Sequence, residues 1–245
     1  MRKLRDVFYI NAFPENNEFI YYGLEFKEFV KYAPVDLNHL LLIKSEFYGR
    51  HFSRNSNFFI TEKDDFEDLL NDDIYNYGDF CWVDYNSEEN VENLKPAEIA
   101  ELLYLGHIFK PMTSPFFQAI NNHYTYLAHD DGWFCKLYCR QYNDFAEIMA
   151  NKITDMVKTS RNKIYPISEE VQNRLLKLAE NGLLIDFNNI IKDARTIEIP
   201  IYAIGKFISM DEMYSGLKQH IGRAQYSAKV VHKNKNWTID YIVEK

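Results

Sequence analysis

Glycine is scarce in this chain, nine in 245 residues, about half the usual frequency. No two glycines stand at the spacing of G-x-G-x-x-G or G-x-x-x-x-G-K-[ST], the motifs that bring backbone amides close to a phosphate. Rossmann and P-loop nucleotide sites are excluded on that ground. No serine lies in G-x-S-x-G, and neither H-E-x-x-H nor C-x-x-C occurs, which removes nucleophile-elbow hydrolases and the common zinc motifs.

Long apolar runs are also missing. Leu40–Ile43 and Leu102–Leu105 fall far short of the ~20 residues of a membrane helix. The opening Met-Arg-Lys-Leu-Arg-Asp-Val-Phe has basic residues but no apolar segment behind them, so it does not read as a signal peptide. There are three cysteines, an odd number that suits reduced thiols in the cytoplasm. The expectation is a soluble cytoplasmic protein with no cofactor and no metal.

The net charge of −8 is uneven. Phe58 to Glu101 holds 14 acids against Lys63 and Lys95, hence −12. Ile201 to Lys245 holds six lysines and Arg223 against four acids, hence +3. An acidic whole repels nucleic acid at long range, so the basic tail reads as solvated hairpin charge.

What the chain has in quantity is aromatic surface, with 18 Tyr and 18 Phe, residues that favour sheets and interfaces. The pattern predicts an α+β fold with a mostly antiparallel sheet, β-hairpins and about four to six packed helices. It reads as a single domain over 1–245, with a possible subdivision near 141. Asp6–Ala12 and Glu18–Phe26 flank Pro-Glu-Asn-Asn as a hairpin. A short helix is expected from Asp36 through Ile43, a loop over 49–57, a short helix from Asp64, a strand over Asp79–Tyr85 and an acidic linker over 86–93.

Four helices carry end signals. One starts at Pro96, with Ile99, Leu102 and Leu103 on one face and Gly106 as its stop. Asn143 caps the next, striped by Phe145, Ile148, Met149, Ile153, Met156 and Val157. Ser168 caps a third, ended by Asn181-Gly182; Ser209-x-x-Glu212 opens the fourth as a capping box. A strand follows the third helix at Ile197–Ala203, where Pro200 predicts a sheet edge. The last hairpin pairs Tyr226–His232 with Trp237–Val243.

Chemistry concentrates between Asn122 and Arg140, which gathers two histidines, two cysteines, two acids and two basic residues around Asp131-Gly132. Zinc binding by His123, His129, Cys135 and Cys139 fails on geometry, because strand residues four apart lie ~13 Å apart. With a two-residue turn at Asp131-Gly132, Ala128 faces Cys135, Tyr126 faces Leu137 and Tyr124 faces Cys139. That register puts Tyr124, Tyr126, Ala128, Trp133, Cys135, Leu137 and Cys139 on a core face; a bulged turn would mix polar and apolar residues instead. The other face holds His123, Thr125, Leu127, His129, Phe134, Lys136, Tyr138 and Arg140. His123, His129, Lys136 and Arg140 are candidate ligand residues for an anionic molecule; the competing reading is an ordinary solvated face. The acids Asp64, Asp65, Glu67, Asp68, Asp72 and Asp73 lack EF-hand spacing and suit a solvated helix face or a patch for a basic partner.

The segments Gly78–Tyr85 (Gly-Asp-Phe-Cys-Trp-Val-Asp-Tyr), Pro96–His107, Tyr126–Phe134 (Tyr-Leu-Ala-His-Asp-Asp-Gly-Trp-Phe) and Ile199–Gly205 resemble an uncharacterised family of soluble proteins from spore-forming Gram-positive bacteria. Its members often carry the name "oxalate:formate antiporter". The resemblance implies kinship over most of the chain but brings no catalytic residues with it. Transport is rejected, since secondary transporters need many membrane helices. The functional expectation is a non-catalytic protein-binding or accessory protein, meeting a protein partner or itself; the alternative is a small-molecule enzyme or binder acting through the 123–140 hairpin.

Overall fold

A computed structural model describes residues 7–47, 51–71, 79–129, 134–159, 164–193 and 195–241. In chain order they begin with β1 (Val7–Phe13), β2 (Glu18–Tyr22), α1 (Phe26–Tyr32), β3 (His39–Lys44), β4 (His51–Ser53), β5 (Phe58–Glu62) and α2 (Phe66–Asn71). Then come β6 (Asp79–Asp84), α3 (Glu88–Glu92), α4 (Pro96–Ile108), β7 (Tyr124–His129), β8 (Phe134–Cys139), α5 (Asp144–Val157) and α6 (Glu169–Ala179). The remainder is β9 (Leu183–Asp186), β10 (Ile191–Lys192), β11 (Thr196–Ala203), α7 (Met210–Ser215), α8 (Leu217–Gly222), β12 (Ser227–Lys233) and β13 (Asn236–Tyr241). The pairings β1–β9, β9–β11, β10–β11, β11–β12, β12–β13, β3–β5, β3–β6, β4–β5, β6–β7 and β7–β8 are antiparallel, and the fold is α+β. No helix among the described residues is long and apolar enough to cross a membrane.

The chain divides into two compact units. Unit 1 consists of Met1–Glu15, Phe19–Pro34 and Tyr142–Lys245; unit 2 consists of Asn16–Glu18 and Val35–Gln141. In unit 1 the strand order is β13-β12-β11-β9-β1-β2, with β10 also on β11. The apolar stripe of α5 packs on this sheet: the Phe145 ring stacks on Phe19 at 4.1 Å and lies tilted against Phe8 and Tyr21. On the opposite face of β1 the Tyr9 hydroxyl donates to the Gly205 carbonyl at 2.9 Å and accepts from the Phe207 amide at 2.8 Å. Asn234 (φ 52) and Lys235 (φ 70) form the β12–β13 turn, both left-handed as a two-residue hairpin requires.

Unit 2 has the order β8-β7-β6-β3-β5-β4, with α4 over one face. Its core joins Leu41, Ile60 and Val83 of the sheet to Leu102 and Leu105 of the helix. Several local expectations are corrected here. Leu40–Ile43 is strand β3, between β5 and β6; an unbroken apolar run of four fits a strand buried on both faces as well as a short helix. The 49–57 stretch contains β4, and the acidic 86–93 segment contains α3. Gly106 does not end α4, which runs to Ile108 and closes on left-handed Phe109; Gly106 lies against the Ile43 backbone.

In unit 1, Pro200 sits in β11 between β9 and β12, not at an edge. The amide of Ala203 donates toward β12, to Tyr226, and strand alternation turns the Pro200 nitrogen the other way. There the β9 register ends at Ile201 and the β10 register begins at Glu198, so Pro200 falls in the gap between the two ladders.

Candidate functional site

The register of β7 and β8 is Tyr124↔Cys139, Tyr126↔Leu137 and Ala128↔Cys135, as a two-residue turn at Asp131-Gly132 demands; that turn and Trp133 lie outside the described residues. Tyr124, Tyr126, Ala128, Cys135, Leu137 and Cys139 are all buried. Trp82 of the neighbouring strand stacks on Tyr126 at 5.1 Å and 6°. The three thiols are free and buried, and burial pushes the Cys81 thiol well above its ordinary value. Such thiols are inert toward metals and electrophiles.

The second face is not a solvated surface. Thr125, Leu127, Lys136 and Tyr138 are buried, with Leu127 and Tyr138 in the core that α4 closes. The Thr125 hydroxyl donates to the Pro115 carbonyl at 2.6 Å, and the Asn122 amide ties down the same segment through Pro115 and Phe117. Residues 109–123 therefore run across the face that the alternation left polar.

Each candidate residue with a described side chain has a structural partner. Lys136 donates from Nζ to the Phe109 carbonyl at 3.1 Å and lies 3.6 Å from Glu18 Oε1. Phe109 is the left-handed cap of α4, so this ammonium closes a helix C-terminus. Burial holds the Lys136 pKa below its ordinary value, with Glu18 opposing. Arg140 donates from Nε to the Asn122 carbonyl at 2.7 Å, and its guanidinium lies 5.2 Å from the Phe116 ring centre. One terminal nitrogen, Nη2, is buried with no hydrogen-bond partner.

The carboxylate of Asp84 is buried. It accepts from the backbone amide of His123 at 3.0 Å and from that of Tyr124 at 2.6 Å, and His123 Nδ1 lies 3.4 Å from it. His129 ends β7 opposite Phe134 and Asp79; its side chain lies outside the described residues. His123 and His129 are six strand residues apart, roughly 20 Å. His123 and Arg140 meet at one end of the hairpin, where the Arg140 amide donates to the His123 carbonyl at 2.8 Å, and Lys136 stands midway opposite Leu127. The four do not converge on one point.

No group of three or more His, Cys, Asp or Glu able to hold a metal occurs among the described residues. Of the acidic set, Asp64 and Asp65 lie in a 3-10 turn and Glu67 and Asp68 in α2, while Asp72 and Asp73 fall outside the described residues. In the C-terminal hairpin Lys229 is paired with Glu198 at 2.6 Å.

The feature that pattern reading missed is the outer side of α4. Leu102 and Leu105 are interior, but Leu103, expected beside Leu102, points outward. The exposed residues from Ala97 to Ile108 are Ala97, Ala100, Leu103, Tyr104, His107 and Ile108, none with a formal charge when histidine is neutral. Leu103, Tyr104, Ile108 and nearby Met112 are between 39% and 58% exposed. An exposed helix normally turns charge to solvent, and a helix apolar on both sides is one that is covered on both sides. The signal was present in the unbroken Leu-Leu-Tyr-Leu run. No family of known proteins matches the chain, and neither a curated protein nor a solved structure does.

Proposed function

We propose that this is a non-catalytic binding protein that docks a protein partner on the outer face of α4. The uncharged exposed row Ala97, Ala100, Leu103, Tyr104, His107 and Ile108 carries the reading. Over its 13 residues the helix is roughly 20 Å long, enough to lay i, i+4 apolar anchors into a groove. Glu98 and Glu101 border the row, within the stretch of −12 that ends at Glu101. A second copy would bring the same acids against these, whereas a partner with an apolar groove and a basic rim complements them. The structural duties of Lys136, Arg140 and His123 weigh against catalysis at the hairpin.

The test is a photo-crosslinking amino acid placed at Tyr104, with the same label at exposed Tyr241 as control. The expected result is a hetero-adduct from position 104 alone, weakened by salt and reduced about tenfold by Leu103→Asp or Ile108→Asp. Equal labelling from both positions, or an adduct between two copies of the chain, would overturn the proposal.

A further inference from the structure

The connection between β11 and β12 leaves the sheet and rejoins it at one place. The Ala203 amide donates to the Tyr226 carbonyl at 3.1 Å, and the Ala203 carbonyl accepts from the Gln225 amide at 2.9 Å. Just beyond, the Ile204 and Gly205 amides donate to the Gly182 and Asn181 carbonyls at 3.0 and 3.2 Å. Residues 206–224, which hold α7 and α8, thus form an excursion with a clasped base, and moving it breaks no bond of that clasp. The excursion also packs on itself. The Phe207 and His220 rings lie 4.5 Å apart, and His220 Nε2 is 3.3 Å from the Glu212 carbonyl oxygen.

It meets the sheet along one row of β1. The Tyr9 hydroxyl donates to the Gly205 carbonyl and accepts from the Phe207 amide. The Lys206 ammonium lies 4.3 Å from the centre of the Phe13 ring. Strand alternation sets Asn11 between Tyr9 and Phe13 on the same face, so residues 205–207 clasp both of its neighbours and close over it. Asn11 is 0% exposed, and no protein group bonds its amide nitrogen or its amide oxygen. A buried amide without partners costs free energy that water returns when the cover lifts. Little holds the cover down. In α7 only Met210 and Met213 are buried, in α8 no residue is, and Ile208 is 76% exposed.

We propose that residues 206–224 are a lid over the Tyr9–Asn11–Phe13 row, latched by the Tyr9 hydroxyl and driven open by the unpartnered Asn11 amide. Two opposed sets of interactions poise it. Shut, the lid gains the two Tyr9 hydrogen bonds, the Lys206–Phe13 contact and the burial of two methionines. Open, the Asn11 amide takes its hydrogen bonds from water. The pivot is Gly205, at φ +97, where a Cβ would meet nothing within 4 Å. Because the clasp at Ala203 stays made, the lid opens at a lower free energy than the sheet beneath it. What it governs is the access of solvent to an amide held between two aromatic rings.

The experiment is native-state hydrogen exchange on the full chain, read amide by amide. The amides of Met213 and His220, bonded inside the excursion to Ser209 and Gly216, report the lid; those of Ala203 and Gln225 report the clasp. In the parent the lid amides should exchange at least about 100-fold faster than the clasp amides. Tyr9→Phe removes the latch and should speed the lid amides about tenfold with the clasp unchanged. Asn11→Leu puts an apolar side chain of similar size under the lid and should slow the lid amides at least about fivefold. A variant that only weakens the fold speeds exchange at both places, so the ratio of lid to clasp is the quantity compared. Equal exchange of lid and clasp in the parent would overturn the proposal. So would a Tyr9→Phe ratio within about twofold of the parent's, which would mean that the two short helices fray without the latch taking part. An Asn11→Leu lid that opens as readily as the parent's, or more so, would show that the amide does not drive the opening, and would overturn it equally.

Discussion

Lys152 offers the sharpest test of how unit 1 is held together. It lies on the interior side of α5, 1% exposed, and its Nζ donates to both oxygens of Glu28 in α1, at 2.6 and 2.7 Å. Glu28 also accepts from the Glu25 amide at 3.0 Å, so one carboxylate joins the start of α1 to the middle of α5. Lys152→Met keeps the aliphatic stem and removes the charge. Breaking a buried pair on one side costs about 3–5 kcal/mol, because the other charge is left uncompensated. Glu28 keeps 26% side-chain exposure, and water recovers part of that cost, which places the expected loss at about 2–3 kcal/mol. At about 2–4 °C per kcal/mol for a chain of this size, the midpoint should fall by about 5–10 °C. Thermal and urea melts of Lys152→Met, Glu28→Gln and the double variant close the cycle, with an expected coupling of about 2 kcal/mol. Little change is expected between low and high salt, because the pair is shielded from solvent. A Lys152→Met protein within about 0.5 kcal/mol of the parent, or a coupling that small, would refute the reasoning.

Lys136→Met separates a structural lysine from a ligand-binding one. It should cost about 2 kcal/mol, because the Phe109 carbonyl loses its donor and Glu18 its cation. Burial lowers the folded-state pKa of Lys136, so the unfolded chain holds that proton more tightly and the parent gains stability as pH rises toward the ordinary lysine value. Urea melts should therefore show a wider gap between parent and variant at about pH 9.5 than at neutral pH; a variant as stable as the parent would reopen the ligand reading. Gly182→Ala should lose about 3 kcal/mol or more in the same assay. Gly182 has φ +73, and a Cβ there would lie 1.8 Å from the Gly205 carbonyl oxygen; a loss below about 1 kcal/mol would contradict that packing.

Residues whose constraints are local were the legible ones. Asn17 (φ 52), Asn234 and Lys235 turn hairpins at the positions their composition marks, and Ser209 accepts the Glu212 amide at 3.3 Å, the Ser209 half of the expected capping box. The β7–β8 register was readable because only one pairing separates the side chains cleanly. Asn143 and Ser168 mark the right helix starts, though neither side chain makes a capping bond. What failed depends on neighbours that are remote in sequence. Alternation told which side Thr125, Leu127, Lys136 and Tyr138 share, but not that α4 and residues 109–123 would bury it. Leu40–Ile43 became a strand because β5 and β6 are there to receive it.

The discontinuity of unit 1 has a consequence for the order in which the protein is made. Strands β1 and β2 and helix α1 leave the ribosome before β9 and α5, which pair with β1 and cover it and follow only after residues 35–141. At about 5–20 residues per second the wait is roughly 5–20 s. Throughout it β1, whose residues Val7–Ala12 are all buried in the finished fold, has β2 beside it on one edge but presents an open second edge and an uncovered apolar face, the kind that recruits wrong partners. Unit 2 can close while unit 1 waits. Slower translation through residues 35–141 lengthens that exposure, and aggregation of nascent chains should follow the length of the pause.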